Sequence, residues 1–283
     1  MQREVRRDLV FSVHTITDGL IALASDELEI LQKAFMNRRG YIIDLGVVDY
    51  EKAWDLQHQL WSRRVEEESP DLLLILEHPH VITLGRRGNR SHLIASPEVL
   101  EAMKIPIFHV ERGGDVTYHG PGQMVVYPIL NLKEYGYRIV RYIDQLEEVV
   151  LCVLKGFGIE GRRDPLNRGV WVEGEKIASV GVAIKRWVSF HGIALNYGTD
   201  LTYFDLINPC GLEGKKMTSM AKILGREISR ESLSKRISLN FKEVFRREWD
   251  EKELSDLFPP LSAPRQRGAG EMVRIERIVE IQT

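Results

Sequence analysis

The 283 residues are long enough for one large domain, or one domain with attachments, and 39 basic against 41 acidic residues leave a net charge of -2, which excludes a polycationic surface that binds nucleic acid by counterion release. A content of 43% hydrophobic and 28% charged residues supports a full core and excludes disorder of the whole chain. The two cysteines, Cys152 and Cys210, are too few for a disulfide framework or a tetracysteine zinc site, and a reducing compartment suits them.

The N-terminal stretch MQREVRRDLVFSVHTITDGL carries an early basic cluster but also Glu4 and Asp8, and it lacks the apolar stretch of a secretory signal. A cytoplasmic location is therefore expected, with an organelle address in residues 1–7 as the alternative. Residues 25–39 read as a helix, capped by Ser25, with Leu28, Leu31, Ala34 and Phe35 on one stripe. A strand follows over residues 41–47, then Asp49 as an N-cap and a helix with Ala53, Trp54, Leu56, Leu60 and Trp61 at helical spacing. Residues 72–76 and 81–84 read as strands; the first is an unbroken apolar run, and it falls far short of the ~20 residues of a membrane span. No membrane association is expected.

A short helix is expected over residues 97–103, strands over 107–110 and 124–130, and a helix over 142–154 ending at Gly156. Residues 169–172, the turn Glu173-Gly174-Glu175, and the runs 176–185 and 190–196 read as an antiparallel meander. A helix over residues 232–249 closes the main unit, and from Pro259 a proline- and glycine-rich linker leads to a final strand-like VRIERIVEI. The early strand and helix alternation with a strand-rich second half gives an α+β fold with a mixed, largely antiparallel sheet and flanking helices.

The densest unusual segment is RGGDVTYHGPGQ, residues 112–123, between two strands. Gly113, Gly114, Gly120 and Gly122 let the backbone approach a ligand closely and present N–H groups to an anion. It matches no phosphate-loop string, and the ordinary alternative is a tight strand connection; Arg112 and His119 beside the glycines favour a ligand loop. Cys210, in INPCGL, falls in a loop that can present a thiol, whereas Cys152, in VVLCVLKGF on the apolar side of a helix, is expected to act as a small buried hydrophobe.

On the strand over residues 176–185, alternation puts Lys176 with Ala178, Val180, Val182 and Ile184, and the small Ser179, Gly181 and Ala183 on the other face with Ile177. A lysine on an apolar face either snorkels at the rim or is held beside a site, and spacing alone favours the rim. Glu77-His78-Pro79-His80 is the nearest approach to a metal cluster, but an H-x-H pair without a spaced partner is weak, so no metal is expected. His191 is structural or lines a pocket. The run Arg86-Arg87-Gly88-Asn89-Arg90 is a solvated turn or a dock for an acidic partner or phosphate.

RGGDVTYHGPGQMVVYPILNL, KIASVGVAIKRWVSFHGIALN and INPCGL, in that order, resemble the lipoyl (octanoyl) transferases of lipoate synthesis. YIIDLGVVDYEKAWDLQ, LLLILEHPHVITLGRRG and KMTSM fit the same family. The resemblance runs from about residue 41 to about residue 247, which sets an N-terminal extension over 1–40, a catalytic domain over 41–247 and a C-terminal extension over 248–283. His80 and Ile82 stand where the family commonly has proline and tyrosine, in HPPVYTLG.

The resemblance implies a fold of the biotin and lipoate protein ligase type. It implies transfer of octanoyl from the thioester of acyl carrier protein to a lysine of a lipoyl domain, in 2-oxoacid dehydrogenase subunits or the glycine cleavage H protein, with no cofactor. The family's nucleophile carries over to Cys210 and its pKa-lowering lysine to Lys176, which reverses the rim reading. Substrate contacts carry over to Arg112, Gly113, Gly114, Asp115, Val116, Thr117, Tyr118 and His119, to Ser179, Val180 and Gly181, and to Gly192, Ile193 and Ala194. Ser179, Gly181 and Gly192 are expected to leave a slot for the acyl chain. The rivals are an ATP-dependent lipoate or biotin ligase, which needs no cysteine nucleophile, and a catalytically silent carrier-binding module.

Overall fold

A computed structural model describes residues 39–164, 167–208 and 216–258. The helix expected over residues 25–39 lies outside them, except that Arg39 opens the first strand, and so does the linker and strand expected from Pro259. Strands β1 (Arg39–Val47) and β2 (Asp71–Glu77) pair in parallel. A parallel pair needs a crossover, and helix α1 (Tyr50–Val65) supplies it, with Asp49 as the expected cap accepting from the Glu51 N–H. Then come β3 (Val81–Leu84), α2 (Pro97–Ala102), β4 (Ile107–His109), β5 (Val116–His119) and β6 (Gln123–Ile129). Helix α3 (Ile139–Gly156) leads to β7 (Arg162–Arg163), β8 (Val170–Val172), β9 (Glu175–Lys185) and β10 (Val188–Asn196). Helices α4 (Met220–Leu224) and α5 (Arg230–Phe245), strand β11 (Glu248–Glu251) and helix α6 (Leu254–Leu257) follow.

The main sheet has the order β11-β1-β2-β6-β10-β9-β8-β7, and β3 lies between β4 and β5 in a second, three-stranded sheet. From β2 to β7 every pairing in the main sheet is antiparallel. This is the mixed, largely antiparallel α+β arrangement expected from the sequence. β2 has no polar position over residues 72–76 because both its faces are covered: Leu73 and Ile75 face α3 and α5, and Leu72, Leu74 and Leu76 face α1. Each such leucine contributes about 2 kcal/mol of burial.

Three expectations need correction. The segment over residues 112–123 is not one connection, since it contains β5, on which Val116 and Tyr118 enter the core of the small sheet with Phe204. Helix α5 ends at Phe245 and not at Trp249, because Arg246 turns left-handed (φ 49°) and its N–H closes onto Lys242 O. Beyond it Trp249 lies in β11 and covers Gly40, where a Cβ would stand 2.4 Å from the indole. The main sheet thus reaches past Arg247 through β11. Cys152, finally, is half-buried rather than core, with Sγ 3.7 Å from Glu148 Oε1, and burial pushes its thiol pKa up.

Candidate active site

A cavity of about 1140 Å³ opens between the two sheets. The small sheet and its loops supply Gly85 to Gly88 and half of the glycine-rich segment, β9 supplies residues 179–185, and β10 supplies His191 to Ala194. Of the residues expected at the site, Arg112, Gly113, Gly114, Val116, Thr117, His119, Lys176, Ser179, Val180, Gly181, Gly192, Ile193 and Ala194 all border it. Sequence separations of up to 82 positions, from Arg112 to Ala194, are closed by β9 and β10 running antiparallel and by Gly113 N–H donating to Val182 O (2.9 Å).

Asp115 and Tyr118 do not border the cavity. Asp115 is buried and accepts from the Asn89 N–H (3.1 Å) and from His92 Nδ1, so it braces the turn that follows β3. Tyr118 stacks on Tyr203 and shares a hydrogen bond with His80 Nδ1 (2.7 Å), on the core side of β5. The run Arg86-Arg87-Gly88 is a turn at the cavity wall, fixed by Arg86 N–H to Arg112 O and Arg87 N–H to Gly114 O.

Arg112 is buried and its guanidinium is spent within the protein, donating to Thr83 O (2.8 Å), Thr83 Oγ1 (2.9 Å) and Gly113 O (3.1 Å). Ser179, Gly181 and Gly192, expected to leave a slot for the acyl chain, all border the cavity. A Cβ at Gly181 would meet Arg112 Cδ at 3.0 Å, and one at Gly192 would meet Val126 O at 2.1 Å. The lack of a Cβ at these two positions lets β9 approach the arginine and β10 approach β6, while both glycines still border the cavity.

Lys176 is buried at the cavity wall with only 7% of its surface exposed, which overturns the rim reading from spacing. Its backbone is pinned from both sides: its N–H donates to Lys216 O and its O accepts from the Thr218 N–H, each at 2.9 Å. Cys210 lies outside the described residues. The chain re-enters them at Lys216 and runs alongside Lys176, and Met217 borders the cavity.

Sequence reasoning missed a buried polar group on the α1 side of the cavity. Tyr50, Gln57 and Arg64 lie on the buried face of α1 among its apolar residues. His78 Nδ1 donates to Val48 O (2.7 Å), so its Nε2 accepts from Tyr127 OH (2.8 Å). Gln123 Nε2 donates to Tyr118 O and Asn196 Oδ1, which leaves its Oε1 to accept from His119 Nδ1–H (2.7 Å). Glu111 accepts from Trp54 Nε1 (3.1 Å) and lies 3.5 Å from His191 Nε2; the neighbouring His191 ring and the Trp54 N–H hold its carboxyl down to about 2. The signal available in the sequence was a set of polar residues at core-facing positions. Among the described residues no group of three or more His, Cys, Asp or Glu side chains could hold a metal ion, and no helix is long and apolar enough to cross a membrane.

Burial pushes His78 down to about 4 and His119 down to about 3. Both rings stay neutral in the folded protein at pH 5, while the unfolded chain takes up protons near 6.5. The unfolded state therefore binds more protons below 6.5, and stability falls as pH falls. Each ring is expected to lose on the order of 2 kcal/mol between pH 7 and pH 5. Urea unfolding at the two pH values checks this; an unchanged midpoint would contradict it.

Residues 49–242 match the family model of the lipoyl protein ligase A/B catalytic domain. An octanoyltransferase of Syntrophobacter fumaroxidans is 54% identical over 222 residues, 78% of this chain and 97% of the relative, and one of Solibacter usitatus is 47% identical over 201 residues, 71% and 90% of the two chains. The fold is that of lipoate ligases. A crystal structure of lipoate-protein ligase A bound with ATP superposes with a TM-score of 0.62 at 13% identity, over 76% of this chain and 89% of that one. A bipartite lipoate protein ligase from Thermoplasma acidophilum, analysed with its E2 lipoyl domain, gives 0.59 at 14% identity, over 76% and 86%.

The fold and the family model thus define a catalytic domain of the lipoyl ligase and transferase class. Within that class the chain belongs to the octanoyltransferase family, and it is an acyltransferase that moves octanoyl groups in protein lipoylation.

Proposed function

We propose that the octanoyl group passes from the thioester of acyl carrier protein to Cys210 and from there to a lysine amine of a lipoyl domain, with Lys176 as the proton carrier. The observation that carries the reading is Lys176, buried at the cavity wall and bonded through its backbone to Lys216 and Thr218, where the chain returns from the Cys210 segment. An ammonium there favours the Cys210 thiolate over the thiol, whose ordinary pKa is about 8.5.

The steps balance without an external acid or base. The Cys210 thiolate attacks the thioester carbonyl, the bond to the carrier's sulfur breaks, and the departing thiolate takes a proton from the Lys176 ammonium. Thioester exchange is close to isoenergetic, so no nucleotide is consumed. A neutral acceptor amine then attacks the acyl-enzyme, Lys176 takes back the proton, and Cys210 leaves as the thiolate. The glycine-rich segment, β9 and the 192–194 stretch of β10 wall the acyl group from water, and the catalytic unit takes in residues 41–247 together with β11 just beyond them. Acceptors are lipoyl domains, the partner with which the Thermoplasma ligase was analysed. A reducing compartment, the cytoplasm, keeps such a thiol free.

Octanoylated acyl carrier protein, a lipoyl domain and the full chain, mixed without ATP, are expected to yield octanoylated lipoyl domain. Strict dependence on ATP would overturn the reading in favour of a ligase.

A further inference from the structure

We infer that Trp171 is a positioning residue for the proposed catalytic lysine, the face of its indole holding the Lys176 ammonium at the cavity wall and favouring its charged form. The inference rests on the pairing of Cys210 with Lys176 proposed above.

Trp171 and Lys176 are register partners on β8 and β9, just past an irregularity at Val170/Trp171. The Lys176 Nζ stands 5.4 Å from the centre of the indole ring, inside the range of about 6 Å at which a cation is drawn to an aromatic face. The ring is itself buried, and its N–H donates to Asn167 O (3.1 Å), which fixes its plane. On the other side the lysine stem crosses Gly169, which has φ +126°; a Cβ there would lie 2.7 Å from Lys176 Cε and 2.3 Å from Ala178 O. Gly169 is in turn tied to α3, its N–H donating to Glu147 Oε1 (2.8 Å).

Burial by itself pushes a lysine toward the neutral amine, and a neutral amine would do nothing to lower the pKa of a neighbouring thiol. An aromatic face opposes that drift, since its quadrupole favours the cation over the neutral amine. Among the described residues, Arg168 pairs with Asp144 and Glu147, and Glu175 pairs with Lys222 in the field of Lys216. A buried tryptophan that only fills space would affect stability and leave the titration of Cys210 alone.

The test is the pH dependence of Cys210 alkylation by iodoacetamide in the full chain, read by mass on the Cys210 peptide, for the wild type, Lys176→Ala, Trp171→Phe and Trp171→Leu. Both tryptophan variants lose the indole N–H, but only the leucine loses the aromatic face. Trp171→Leu is expected to raise the midpoint by about one pH unit, an about tenfold slower labelling below it, with Trp171→Phe much nearer the wild type. Equal shifts in the two variants, or no shift in Trp171→Leu while Lys176→Ala does shift, would overturn the inference and leave the cysteine and lysine pairing standing. No shift in Lys176→Ala would remove that pairing and the inference with it. The unsubstituted protein gives a second readout if the leucine variant does not fold. In protein labelled with ¹³C-lysine, the ε-methylene protons of Lys176 are expected upfield, displaced by the ring current of Trp171; ordinary lysine shifts there would overturn the contact.

Discussion

Replacing Cys210 with serine is expected to lower octanoyl transfer by about a thousandfold or more, while the folded protein and its thermal unfolding stay unchanged. A serine hydroxyl remains protonated at neutral pH, and the Lys176 ammonium cannot convert it to an alkoxide, so the acyl-enzyme step loses its nucleophile. Removing a nucleophile that acts together with its partner typically costs several orders of magnitude in rate. The rate is measured as octanoylated lipoyl domain formed from octanoylated carrier, and transfer within tenfold of the wild type would show that the acyl group bypasses Cys210.

Asp71→Ala is expected to act on stability alone, by about 3–5 kcal/mol. Asp71 is fully buried at the start of β2, where it accepts from Arg64 Nε (2.7 Å), Tyr135 OH (2.7 Å), the Asn131 N–H (3.0 Å) and Arg247. Arg64 is fully buried as well, and Glu134 bridges the two arginines. Alanine would leave two guanidinium groups facing one carboxylate, with Arg64 unable to reach water. In a chain of this size the loss corresponds to roughly 10 °C or more in Tm. Asp71 does not border the cavity, so the alkylation midpoint of Cys210 is expected to stay put. Unfolding free energy lowered by less than about 1 kcal/mol would mean that the arginines relax into solvent.

What could be read ahead of the structure follows the range of the interaction. β2 was legible because an unbroken apolar run means burial on both faces, and α1 because Asp49 caps it and Ala53, Leu56 and Leu60 repeat with the helical period. The end of α5 was not, since the left-handed residue there is Arg246 and no glycine or proline marks it. β5 was hidden among glycines, where neither a run nor an alternation could show. The membership of the site came from motifs, and the geometry adds what motifs do not carry. Gly181 and Gly192 border the cavity, and each also lets protein atoms approach closer than a Cβ would allow. Asp115 and Tyr118 support the loop from behind. The contact of Lys176 with Trp171 depends on strand register across a bulge, and that of Asp71 with Arg247 spans 176 positions; neither leaves a local trace in the sequence.

The covalent step is the centre of the account, and the carrier alone suffices to test it. The full chain is incubated with octanoylated acyl carrier protein, without ATP and without any acceptor, then digested and its peptides weighed. The expected result is the mass of one octanoyl group on the peptide containing Cys210, removable by hydroxylamine and absent from Cys210→Ser. An unmodified Cys210 in a preparation that goes on to octanoylate a lipoyl domain at full rate would contradict the account.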